Sequence, residues 1–201
     1  ISTGAALVTA GCGITIAKHG NRALSSRSGA ADVLGALGVN IDCEMTKIEK
    51  SIRKAKIGFM MAPLHHSATR HVAGPRVELA TRTIFNILGP LSNPAGVNRL
   101  LVGVFAREWV EPMAKVLGIL GAERAWVVHG SDGLDELTTT GNSYVSALDN
   151  GKVTNFQVSP SDADIPIAKA KDLKGGDARD NAEAMTRMLE GEPSAFRNIA
   201  V

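Results

Sequence analysis

The stretch Lys18-His19-Gly20-Asn21-Arg22-Ala23-Leu24-Ser25-Ser26-Arg27-Ser28-Gly29 constrains the fold more than any other part of the chain. The apolar run Ile14-Thr15-Ile16-Ala17 before it reads as a short buried strand. Behind it, Ala30 to Leu37 carries helical spacing, and Gly38 stands where a helix stops. A loop that leaves a strand and enters a helix offers free backbone N–H groups and the positive end of the helix dipole, which suit an anion. Lys18 and Arg22 add charge, and the serines add donors without bulk. Many βα loops are merely polar; the density of anion-binding residue types here favours a phosphate.

With 201 residues, 44% hydrophobic and 21% charged, the chain holds enough apolar material for one soluble globular domain with a sizeable core. A net charge of +2 without a long basic run points away from a nucleic-acid partner. Cys12 and Cys43 have no metal-binding spacing and suit a reducing cytoplasm. The apolar segment Ala5 to Ala17 lacks a basic region before it and is too short and glycine-broken to span a membrane. It reads as a helix followed by a strand, with no membrane partner. The chain opens at Ile1 rather than at an initiator Met, so an N-terminal part of the architecture is expected outside it.

Ser2 or Thr3 can cap a first helix ending near Gly11 or Gly13. Glu44 to Ala55 reads as a charged amphipathic helix with Met45, Ile48 and Ile52 on one face, and Ile57 to Met61 as a buried strand stopped by Pro63. Leu64 to His71 is expected as a loop running into a helix, and Pro75 as the first turn of another helix, Arg76 to Arg82. A strand at Leu100 to Phe105, a helix at Trp109 to Leu120 and a strand at Arg124 to His129 make a βαβ unit. Tyr144 to Leu148 and Lys152 to Val158, divided by Asn150-Gly151, form a β-hairpin; Asp177 to Leu189 is a late helix. The class is α/β, with a largely parallel central sheet flanked by helices.

Of the clustered histidines, His65 and His66 are adjacent and point apart on regular structure, and no Glu has zinc-helix spacing. One of them is expected to line a ligand pocket as a hydrogen-bond donor. Arg76 is either a solvated surface residue or, if it faces the organising loop, a bidentate partner for a carboxylate. Asp132, Asp135 and Glu136 directly follow a strand, at the edge where α/β proteins bind ligands. They read as a solvated acidic turn in isolation, and as magnesium ligands if a diphosphate is near. No Ser-His-Asp or Cys-His set can be built, which favours group transfer by positioning and charge stabilisation.

Lys18-His19-Gly20-Asn21-Arg22 with Ser25-Ser26 and Ser28-Gly29-Ala30-Ala31-Asp32-Val33-Leu34 resembles the signature loop and helix of the anthranilate phosphoribosyltransferase family. Arg76 with Glu78-Leu79, then Arg82 through Pro94, resembles its second block, and Gly133-Leu134-Asp135-Glu136 its third. The blocks follow the family's order over most of the chain. A single block would not separate it from the pyrimidine-nucleoside phosphorylases, which share the fold and a related Lys-His motif. A phosphorylase-like enzyme and a non-catalytic nucleic-acid-binding relative are the alternatives.

The resemblance implies that residues 1–201 form most of an α/β phosphoribosyltransferase domain. The family's N-terminal helical domain, its glycine-rich diphosphate loop and its last helices would fall outside. It implies transfer of the phosphoribosyl group of phosphoribosyl diphosphate to the amine of anthranilate, a step of tryptophan biosynthesis, with Mg2+ as cofactor and no covalent nucleophile. By the same resemblance, Ser2, Thr3, Lys18, His19, Gly20, Asn21, Arg22, Ala23, Leu24, Ser25, Ser26 and Ala30 line the phosphoribosyl diphosphate site. Asn21, His66 and Arg76 contact anthranilate, and Ser2, Asp135 and Glu136 hold the metal. It further implies a cytoplasmic enzyme that is a homodimer when intact. Ser67 stands where relatives often carry Pro, and Ala30 where many carry Ser.

Overall fold

The computed structural model describes residues 1–23, 27–66, 70–79, 81 and 83–201, except for the side chains of Arg70, Ala73, Pro75, Arg76 and Val77. The expectations placed on Leu24, Ser25, Ser26, Ser67 and Arg82, and on the Arg76 side chain, lie outside the described residues.

In chain order the elements are α1 (Ser2–Gly11), β1 (Ile16–Gly20), α2 (Ala30–Ala36), α3 (Met45–Ala55), β2 (Ile57–Met61), α4 (Ala62–His65), α5 (Arg70–Leu79) and α6 (Phe85–Leu88). Then come β3 (Arg99–Gly103), α7 (Val110–Ile119), β4 (Arg124–Gly130), β5 (Ser143–Asp149), β6 (Lys152–Val158), α8 (Ala178–Leu189) and α9 (Ala195–Ala200). The α/β class is as the sequence implies. In place of the largely parallel central sheet expected, the strands form a parallel pair β1-β2 and a four-stranded sheet β3-β4-β5-β6, in which β3 and β4 are parallel and the rest antiparallel, because the β5-β6 hairpin adds to β4 without a crossover. No helix among the described residues is long and apolar enough to cross a membrane.

The chain divides into two compact units. The first comprises Ser2–Ala95, Gly175–Glu192 and Ala200–Val201; the second comprises Ile1, Gly96–Lys174 and Pro193–Ile199. In the first, α3 packs on β2 and α2 on α8. Ala31, Leu34, Ile41 and Met61 form a buried cluster with Phe59 against it. Ile48, on α3, is buried, whereas Met45 of the expected apolar face is 37% exposed. In the second unit α7 covers one face of β4 and β5, burying Met113, Ala114 and Leu117 together with Ala125, Val127 and Leu148 of the strands.

Two expectations about element bounds also shift. The first strand lies at Ile16–Gly20 rather than Ile14–Ala17, and Ile14 is 58% exposed. Pairing decides this: β1 aligns with β2 from Ile16↔Ile57 to Gly20↔Met61, so the ladder carries the strand through Lys18, His19 and Gly20. Likewise a single helix, α5, runs from Arg70 to Leu79, with Pro75 inside it and not at its first turn. A proline's fixed φ is already helical, and its cost is one missing N–H bond and a tighter fit to the turn before it. By contrast, the hairpin turn is as read: Asn150 and Gly151 both have positive φ, 47° and 85°, which a two-residue turn matched to strand twist requires.

Candidate functional site

Two elements of the first unit converge on the start of α1. Lys18 stands in the middle of β1, and its Nζ donates to Ser2 Oγ at 3.0 Å, in the first turn of α1. The helix start brings the positive end of the dipole and Lys18 brings a full charge, so this point suits a phosphate oxygen. Thr3, the next residue, is buried.

His19 faces the other histidine segment. Its Nε2 lies 3.0 Å from Nε2 of His66, just past α4, with the rings edge to face. Burial, then the nearby His66, His65 and Lys18, lower the His19 pKa from 6.5 to about 4, so its ring is neutral near pH 7. His65 is half-buried, and its Nε2 has no hydrogen-bond partner among the described residues. His71 is exposed.

The motif leaves β1 at Gly20 and turns on Asn21, whose Oδ1 accepts from the Arg22 N–H at 2.8 Å and whose carbonyl accepts from Ala31 N–H at 3.3 Å. Arg22 lies between two acids, 3.5 Å from Asp32 and 3.5 Å from Asp42. Asp32 is the residue that sequence reading undervalued. Its Oδ2 accepts from the N–H groups of Ala23 and Gly29, both at 2.9 Å, and so ties the two ends of the intervening loop together. Those two N–H groups hold its carboxyl below the ordinary range, with Arg22 assisting and burial opposing. The signal was local: an acid at the third position of a helix can reach back to the N–H of its cap, here Gly29, which is half of a capping box.

Two further braces have no local signal. Asn181 of α8 donates its Nδ2 to Ser28 Oγ at 2.7 Å, 153 residues away along the chain. Asn93, in the breaker-rich segment, donates to the Ala17 carbonyl of β1 at 3.0 Å. Ala30 opens α2, its methyl beside Gly20.

In the second unit, the acidic residues lie in the loop between β4 and β5. Asp132 is not placed like a metal ligand, because both its oxygens are engaged. Oδ2 accepts from Thr138 Oγ1 and Thr140 Oγ1, each at 2.6 Å, and Oδ1 from the Leu134 N–H at 3.2 Å. Burial raises its pKa, but these bonds outweigh it and leave the carboxyl below the ordinary range. Asp135 is exposed and Glu136 half-buried. Among the described residues no three His, Cys, Asp or Glu side chains gather into a metal cage. Two neighbouring carboxylates fit Mg2+ that arrives on diphosphate oxygens, which is how that ion is commonly held.

These elements make an α/β domain, and the chain belongs to the glycosyl transferase family, a/b domain, whose model matches residues 1–201. The anthranilate phosphoribosyltransferase of Rhodospirillum rubrum is 61% identical over 201 residues, covering 100% of this chain and 58% of the relative. That of Rhodopseudomonas palustris is 60% identical, covering 100% and 59%. Among solved structures, anthranilate phosphoribosyltransferase from Thermus thermophilus superposes with a TM-score of 0.92 at 44% identity, covering 99% of this chain and 59% of that one. The Saccharomyces cerevisiae enzyme in complex with PRPP and Mg gives 0.87 at 28% identity, covering 99% and 56%. This chain therefore spans somewhat under 60% of the length of these relatives.

Proposed function

We propose that the chain is the α/β part of an enzyme that moves the phosphoribosyl group of phosphoribosyl diphosphate onto the amine of anthranilate in tryptophan biosynthesis. The observation that carries this reading is the Lys18–Ser2 contact, which joins a strand cation to a helix start at a phosphate-sized point. The relatives' names agree, as does a yeast relative solved with 4-fluoroanthranilate.

In the reaction the bond from ribosyl C1 to diphosphate breaks and a C1–N bond forms. The nitrogen loses a proton, and the diphosphate leaves with the electrons of the broken bond. No covalent nucleophile is required. Anthranilate's aromatic amine is neutral near pH 7, so the protein's task is to place it and to stabilise the leaving charge. Ser2, Thr3 and Lys18 through Ser26, with Ala30, take the phosphoribosyl diphosphate. Asn21, His66 and Arg76 take anthranilate, with Arg76 on its carboxylate. Ser2, Asp135 and Glu136 take the magnesium, which supplies neutralisation of the diphosphate charge when bound. The family resemblance extends the reading to a cytoplasmic homodimer.

The test follows the loss of anthranilate fluorescence with phosphoribosyl diphosphate and Mg2+, on this chain and on the chain joined to the remaining length its relatives possess. Consumption by the longer protein is the expected result. Phosphate-dependent nucleoside cleavage without anthranilate consumption would replace the reading with the phosphorylase one.

A further inference from the structure

We propose that Gly103, Gly130 and Asp132 form a clamp that sets the position of the Asp135-Glu136 pair, making them positioning residues for the magnesium of the reaction; the metal part rests on the function proposed above. Four observations in the second unit carry it. First, the backbone of Asp135 lies directly on the last residue of β3. A Cβ at Gly103 would stand 2.6 Å from the Asp135 carbonyl carbon, and closer still to its oxygen. Because that obstacle is backbone, no rotamer change relieves it. Second, a Cβ at Gly130 would meet Asp132 Oδ1 at 2.6 Å and Thr138 Cβ at 3.0 Å.

Third, Asp132 is the hub of the loop. It binds Thr138 and Thr140 with one oxygen and the Leu134 N–H with the other, while Leu134 returns its carbonyl to the Gly130 N–H at 2.8 Å. The Thr138 N–H is held in turn by Ser143 Oγ at 2.8 Å, at the start of β5. Fourth, the strand ends beneath the loop are fastened to each other. His129 Nδ1 donates to the Val104 carbonyl at 2.8 Å, the direction being fixed because a carbonyl only accepts.

Together these place Asp135 and Glu136 between a seat that excludes a side chain and a hub three residues upstream. A carboxylate that binds by its position needs such support, since the groups behind metal ligands commonly change affinity by about 10- to 100-fold when lost.

The experiment uses the full chain with Mn2+ and inorganic diphosphate as the probe, read by paramagnetic resonance, alongside hydrogen exchange of the amides of Gly130, Leu134, Thr138 and Thr140. Gly103→Ala and Asp132→Ala are expected to weaken Mn2+ binding by about tenfold or more and to speed exchange at those amides. Thr140→Val, which removes one hub bond only, guards against a variant that fails to fold and is expected to show a smaller loss of both. Asp135→Asn with Glu136→Gln is expected to abolish Mn2+ binding while leaving exchange slow. Wild-type Mn2+ affinity in Gly103→Ala and Thr140→Val, with metal binding lost in the carboxylate double variant, would overturn the clamp. Unchanged Mn2+ binding in the double variant would instead overturn the metal role, with the exchange data still deciding the clamp.

Discussion

At the His19–His66 contact both partners are ring nitrogens, so one Nε2 carries a proton and the other does not. A second proton would set two donors against each other, beside Lys18 and His65, which adds to the burial that lowers the His19 pKa to about 4. Folding therefore favours the neutral ring. Its stabilisation is complete above pH 6.5 and is lost as the pH falls towards 4, because in that window the unfolded chain binds the proton and the folded one does not. The full shift corresponds to about 3 kcal/mol, which solvent screening at this half-buried position reduces to about 1–2 kcal/mol. Urea unfolding at pH 7 and pH 4.5 checks it. The native chain should lose that much more stability than His19→Gln; equal losses would remove the His pair as the cause. A second prediction at this scale concerns substrate: in the active enzyme Arg76→Ala should weaken anthranilate use by about 2–5 kcal/mol, the scale for unpairing a buried charge. A kcat/KM for anthranilate equal to the parent's would end that role.

In the function proposed above, the element that would bind phosphoribosyl diphosphate is the β1–α2 connection, whose ends are held by Asp32. An acid beside the proposed phosphate site would be electrostatically unfavourable there, and its two backbone bonds and Arg22 at 3.5 Å offset that cost. Asp32→Ala should cost about 1 kcal/mol of stability through the lost cap. It should raise the KM for phosphoribosyl diphosphate, while that for anthranilate stays near the parent's. If both constants rise together, or neither does, the loop-closing role fails. This element also shows what the sequence discloses. The helix at Ala30, the strand Ile57–Met61 and the Asn150-Gly151 hairpin were legible because periodicity and turn chemistry are local. The exact span of β1 was not, since its partner β2 chose it. Nor was α5, where Pro75 sits inside a helix it was expected to open. Of the site, the Lys18-to-Arg22 motif and the acidic pair were visible as residue types. The Ser28–Asn181 brace, the Asn93 brace and the seat at Gly103 join residues distant in sequence, and no spacing rule encodes them.

Across the whole molecule the charge is mixed rather than one-sided, which bears on whether anion binding is local or general. The net charge is +2. Cations interleave with acids in pairs such as Lys115–Glu111, Arg124–Asp149 and Arg53–Glu49, at 2.6, 3.0 and 3.6 Å. The most basic exposed run, Lys47, Lys50, Arg53, Lys54 and Lys56, lies on and just past α3 and includes Glu49. A surface of this kind presents only a few phosphates' worth of uncompensated charge to a duplex, and affinity resting on counterion release falls steeply with salt. Diphosphate at the proposed Lys18–Ser2 point would be different, because it would meet a helix start and a directed ammonium, which bulk salt screens less than it screens a diffuse surface field. The expected outcome is that micromolar protein shows no gel shift with duplex DNA at about 0.15 M salt, while inorganic diphosphate with Mg2+ still raises the melting temperature in the same buffer. DNA binding that survives that salt concentration, with a steep log–log slope and no thermal shift from diphosphate, would replace the proposed transferase reading with that of a nucleic-acid-binding relative.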